Sequence, residues 1–113
     1  MNIRQRGVAA SVAYLERIGQ VVLGPEAGPA AKAIDILSID GDILVATLVR
    51  VRQRPAEVAP VSGRTLDAAL RSVIDHHDSH ATQCGCARVD VISILVLSED
   101  RALLRHYRGE RSG

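Results

Sequence analysis

The chain has 113 residues, a formal net charge of +1 and 47% apolar residues. That length suits one compact domain rather than two, the apolar share argues against wholesale disorder, and near-neutral charge argues against a strongly basic nucleic-acid glue. Phe and Trp are absent, so Val, Ile, Leu and Ala must build the core, and Tyr14 and Tyr107 alone offer little for the stacking platforms of single-strand binders.

Val8, Val12, Leu15 and Gly19 recur at helical spacing with Ala9, Ala10 and Ala13 between them. This predicts an amphipathic helix from about Arg4 to Ile18 that ends at Gly19. Val21, Val22 and Leu23 follow as a short strand, and Gly24 to Pro29 reads as a loop from its Gly and Pro content. Ala33 to Ile39 is apolar and β-branched, Asp40-Gly41 supplies a hairpin turn, and Ile43 to Arg52 returns as a long strand. The first half of that strand is apolar on both faces, as in a central strand. Its second half alternates, with Val49 and Val51 on one face and Arg50, Arg52 and Arg54 on the other.

Pro55 and Pro60 bracket a second loop, after which Leu66, Ala69, Leu70, Val73, Ile74 and His77 mark the buried face of a helix over Thr65 to His77. A polar connector from Asp78 to Ala87 leads into a strand over Val89 to Leu97. Ser98-Glu99-Asp100 then turns the chain toward a short last strand, Ala102 to Tyr107. The order predicts a mixed sheet with helices packed against it. It forms a single domain over residues 1–108, with a loose tail over 109–113. No apolar run reaches transmembrane length, and Met1-Asn2-Ile3-Arg4 opens no signal-peptide pattern. A cytoplasmic protein with reduced thiols and no membrane partner is expected.

Three stretches resemble a known family. Gly7-Val8-Ala9-Ala10-Ser11-Val12-Ala13-Tyr14-Leu15-Glu16-Arg17-Ile18-Gly19 resembles the opening helix of the YraN family of small bacterial proteins, roughly GExxAxxYLExxG. Ala33-Ile34-Asp35-Ile36-Leu37-Ser38, Asp40-Gly41-Asp42, Leu44-Val45 and Leu48-Val49-Arg50-Val51-Arg52 are similar to its GEIDLIAxDGDxLVFVEVKxR block. Arg88-Val89-Asp90-Val91-Ile92-Ser93-Ile94 is similar to its RFDVVxI strand. Order and spacing agree from about Arg4 to Leu97.

That family resembles the PD-(D/E)xK nucleases, so the resemblance implies a restriction-endonuclease-like α/β fold, a mixed β-sheet flanked by helices. Such chemistry needs a Mg²⁺ or Mn²⁺ ion between carboxylates and the scissile phosphate, with a Lys that stabilises developing charge. Carried over by position, Asp35 is the remaining acid and the one candidate metal ligand, with Asp40 or Asp42 as helpers. Val8, Ala33 and Leu48 stand where the family has Glu, and Arg50 stands where it has Lys. The family's downstream Lys falls at Ser62. Arginine keeps its charge and can neutralise a phosphate, but it cannot act as a base.

The local alternatives are plain. Asp35 can be a hydrogen-bonding relic, with Asp40 and Asp42 as turn residues. Arg50, Arg52 and Arg54 can be a phosphate-binding stripe or a solvated strand end that discourages edge pairing. Arginine supplies 13 of the 14 basic residues, which suits phosphate and also suits Arg-rich codon usage. His76, His77, His80, Cys84 and Cys86 have zinc-ligand chemistry, although their spacing fits no standard structural zinc site.

Three functions compete. The first is a nuclease relative that binds nucleic acid, DNA favoured, without efficient cleavage. The second is an interaction or structural protein whose apolar Leu48 and Val8 are buried in a homodimer or against a partner surface. The third is an active endonuclease with relocated ligands.

Overall fold

The computed structural model describes residues 2–24, 34–53 and 86–109, together with the single positions Ala68 and Arg71. Among the described residues, the helix α1 (Ile3–Arg17) precedes five strands: β1 (Val21–Gly24), β2 (Ile36–Asp40), β3 (Ile43–Arg52), β4 (Cys86–Ser98) and β5 (Arg101–Tyr107). They form one mixed sheet in the order β1-β2-β3-β4-β5, in which only β3 and β4 run parallel. The protein is therefore a mixed α/β fold, with the predicted strands all present.

Helix α1 begins one residue earlier than its apolar spacing implies because Asn2 caps it. The Asn2 side chain accepts from the Gln5 N–H at 2.8 Å, and the Asn2 N–H donates to Gln5 Oε1 at 2.9 Å. This reciprocal box satisfies two helix-end donors. Gly19, at φ 96°, then turns the chain toward β1.

The buried line of α1 is Gly7, Ser11 and Leu15, with Val8, Val12 and Tyr14 flanking it. Apolar periodicity picks out Leu15 and the flanking Val8 and Val12 but passes over Gly7 and Ser11, whose small size suits the buried line. A Cβ on Gly7 would collide with the Val51 side chain. Helix and sheet thus approach more closely than larger residues allow. Ser11 satisfies its buried hydroxyl locally by donating to the Gly7 carbonyl at 2.8 Å.

The hairpin turn differs by one residue from the sequence expectation. Asp40 pairs with Ile43 as the last residue of β2, so Gly41 and Asp42 form the two-residue loop, with Gly41 at φ 64°. Strand β4 also starts earlier than predicted. Its parallel pairing runs from Ile43 opposite Cys86 to Arg52 opposite Leu95, which draws Cys86 and Ala87 out of the expected connector.

Both faces of the sheet are apolar. Leu15, Ile36, Val49, Ile92 and Ile94 form the core under α1. Ile34, Leu37, Leu44, Ala46 and Ala87 form a second core cluster, with Leu37, Leu44 and Ala46 alternating to the other face. The predicted second helix falls largely outside the described residues, though Ala68 and Arg71 are helical and exposed, in keeping with their absence from its predicted buried face. Gly109 is the first residue of the expected tail. Its N–H donates to Asp90 Oδ1 at 3.0 Å, and residues 110–113 lie outside the described residues.

Candidate functional site

Asp35 sits just before β2, where the hairpin ladder ends. Its N–H donates to the Thr47 carbonyl at 3.1 Å, and its Oδ2 accepts from the Val49 N–H at 2.7 Å. Arg4 of α1 closes the arrangement, donating through Nη2 to Asp35 Oδ1 and through Nη1 to the Val49 carbonyl at 3.1 Å. Thr47 and Val49 are two residues apart, so their backbone groups point to the same edge of β3. The two side chains therefore do for Val49 what another residue of β2 would have done. Both oxygens of the predicted metal ligand are committed to this task.

The other predicted members do not gather around Asp35. Asp40 and Asp42 lie at the far end of β2, roughly 16 Å of strand away at the usual rise per residue, and Asp40 is bonded to Arg88. Val8 packs into the core under α1. Leu48, only 6% exposed, points to the opposite face with Arg50 and Arg52. Leu48 is thus packed within the domain rather than standing as an exposed apolar patch. Ala33, Arg54 and Ser62 lie outside the described residues.

On the face away from α1 the strand register builds a surface that sequence spacing alone could not reveal. Arg50, Ser93 and Arg105 fall in one row across β3, β4 and β5. Arg52, Leu95 and Leu103 form the next row, and Leu48, Val91 and Tyr107 the row on the other side. His106 and Leu104 turn toward α1, so Leu103, Arg105 and Tyr107 alternate to the outer face. Arg52 and Arg105 are exposed and Arg50 is half-buried. Among the described residues, the strand positions on this face include no Asp or Glu, and Arg50 is itself engaged in an interaction.

The functional-looking cluster that sequence reading missed lies on the α1 side. Asp90, fully buried, accepts from Arg88 Nε at 2.7 Å, Arg88 Nη2 at 3.0 Å and the Gly109 N–H. His106 Nε2 lies 2.8 Å from Asp90 Oδ2, and Tyr14 Oη lies 3.0 Å from His106 Nδ1. A neutral ring satisfies both contacts, with Nε2–H donating to Asp90 and the tyrosine hydroxyl donating to Nδ1. Arg88 also donates to Asp40 Oδ2 at 3.1 Å. Burial pulls the Arg88 pKa down, but hydrogen bonding and charge from Asp90, then Asp40, outweigh it, so the pKa is raised.

This chain of partners joins α1, β2, β4, β5 and Gly109. The His106 and Arg88 side chains are only 5% and 6% exposed, leaving no room for a substrate, and the arrangement acts as a crosslink. The available clue was the spacing of Arg88 and Asp90, which places two charges on the face that continues as Ile92 and Ile94.

Among the described residues, no group of three or more His, Cys, Asp or Glu side chains is placed to hold a metal ion. Of the zinc-type candidates only Cys86 is described, half-buried on β4, while His76, His77, His80 and Cys84 lie outside. Among the described residues no helix is long and apolar enough to cross a membrane. No family model matches the chain, and no curated protein matches it.

Proposed function

We propose that this protein binds nucleic acid, DNA favoured, on the sheet face opposite α1, and does not cleave it efficiently. The observation that carries the reading is the placement of the exposed Arg52 and Arg105 on one sheet face, with the half-buried Arg50 in the Arg105 row across Ser93. Two strand spacings separate Arg50 from Arg105, roughly 10 Å, so their guanidinium groups can converge on phosphates. The loss of cutting is supported by Asp35, whose two oxygens serve Arg4 and Val49. The motif resemblance to the YraN family supports a restriction-endonuclease-like scaffold as the origin of both features. On this reading Mg²⁺ or Mn²⁺ matters only to residual cleavage.

The test is anisotropy of end-labelled single-stranded, duplex and branched DNA at low and moderate salt. Binding is expected to weaken with salt, with a log–log slope of about −2 for three phosphate contacts on a single strand. The pair Arg52→Glu and Arg105→Glu should abolish it. Absence of binding at low salt refutes the proposal. Plasmid nicking with Mg²⁺ or Mn²⁺ that disappears in Asp35→Ala would instead establish an active endonuclease.

A second reading, an interaction protein, retains one observation in its favour. Leu97 and Leu103 are 55% and 54% exposed, on β4 and on the edge strand β5. Sedimentation of the full chain tests it, and a monomer at high concentration counts against self-association there.

A further inference from the structure

We infer that Tyr107 is a base-stacking platform and that the favoured ligand of the arginine face is a single strand carrying an unpaired base. This rests on the nucleic-acid reading above. Tyr107 is 54% exposed and shares its outer face with Arg105, two residues away along β5, roughly 7 Å at the usual strand rise. Its row neighbour on β4 is the half-buried Val91. Ser93, small and half-buried, lies between Arg50 and Arg105 in the same row. A phosphate over Ser93 lies within reach of the Arg105 fork, and the attached base reaches the Tyr107 ring. A duplex hides its base faces, so it can use the arginines but not the ring.

The two tyrosines differ in a way that follows from the fold. Tyr14 is half-buried and bonded to His106, whereas Tyr107 stands on the proposed surface. Aromatic scarcity in the sequence argued against stacking, but the single available ring is placed where stacking needs it. The chain has no Trp, so tyrosine emission reports directly on these two rings.

The experiment uses the full chain, an oligothymidylate of about 10 nucleotides and a duplex of equal length, both at low salt. Single-strand binding should quench tyrosine emission in the parent, and the quenching should vanish in Tyr107→Leu. Tyr107→Leu should weaken single-strand affinity at least about fivefold while leaving duplex affinity unchanged, and Tyr107→Phe should restore it. Arg52→Glu with Arg105→Glu should weaken both ligands. If the oligonucleotide binds with unchanged emission and Tyr107→Leu binds like the parent, the stacking role is wrong while the arginine face stands. If neither ligand binds, both readings fall.

Discussion

Removing the Asp90 carboxylate is the sharpest test of the buried crosslink. Asp90→Ala deletes the acceptor for two Arg88 bonds, for His106 and for the Gly109 N–H. Breaking a buried pair from one side costs about 3–5 kcal/mol, because the surviving charge stays desolvated. Two further donors, on His106 and Gly109, lose their acceptor, whereas Asp40 still holds part of the Arg88 charge. The expected loss is about 4 kcal/mol, a large share of the about 5–15 kcal/mol that stabilises a domain. Urea unfolding followed by circular dichroism should show a midpoint about 2 M lower, taking m as about 2 kcal/mol/M. Adding Arg88→Met removes the orphaned charge, and the double variant should be more stable than Asp90→Ala alone. A loss below about 1 kcal/mol for Asp90→Ala, or a double variant less stable than the single one, refutes the account.

Other outcomes follow from particular contacts. Gly7→Ala should destabilise by about 1 kcal/mol, since overpacking against Val51 costs about 1–3 kcal/mol and helix propensity returns about 1 kcal/mol. Val51→Ala in the same chain should relieve it, as read by thermal melting. Gly109→Ala, whose Cβ would strike the Val89 carbonyl, should release residues near the C-terminus and speed amide exchange at Gly109. Asp35→Ala should cost about 1–2 kcal/mol by orphaning the Val49 N–H, and Asp35→Asn less, because an amide oxygen still accepts there. The raised Arg88 pKa means that its stabilising charge is fully present below the ordinary arginine value and is lost only as pH rises through the raised one. Arg88→Lys, whose side chain titrates about two units lower, should therefore lose stability earlier in an alkaline denaturation series.

Much of the scaffold was legible in the sequence because it depends on local rules. The 3.6 period of α1, the left-handed glycine at Gly41 and the double-faced apolar run of β3 each follow from neighbouring residues. What escaped depends on register. Arg105 and Tyr107 gain significance only when β5 pairs with Ser93 and Val91, and no local pattern states that pairing. The crosslink escaped for a similar reason, since Asp90, His106 and Tyr14 are distant in sequence and each looks ordinary alone. Asp35 was found by its resemblance to a catalytic acid, but its task is set by Arg4, which the helix brings from the other end of the motif.

The contact at Asp35 also bears on how the hairpin avoids wrong alignments. Sliding β2 along β3 by two residues keeps every side chain on its proper face, so burial alone discriminates weakly between such alignments. The runs Ile36 to Ile39 and Leu44 to Val49 are apolar enough to tolerate that shift. The tight loop at Gly41 sets the alignment at one end, and the Asp35–Val49–Arg4 knot sets it at the other. Asp35 thereby acts as a molecular end-stop, and its value to the protein is greater as a guard of pairing fidelity than as a contribution to stability.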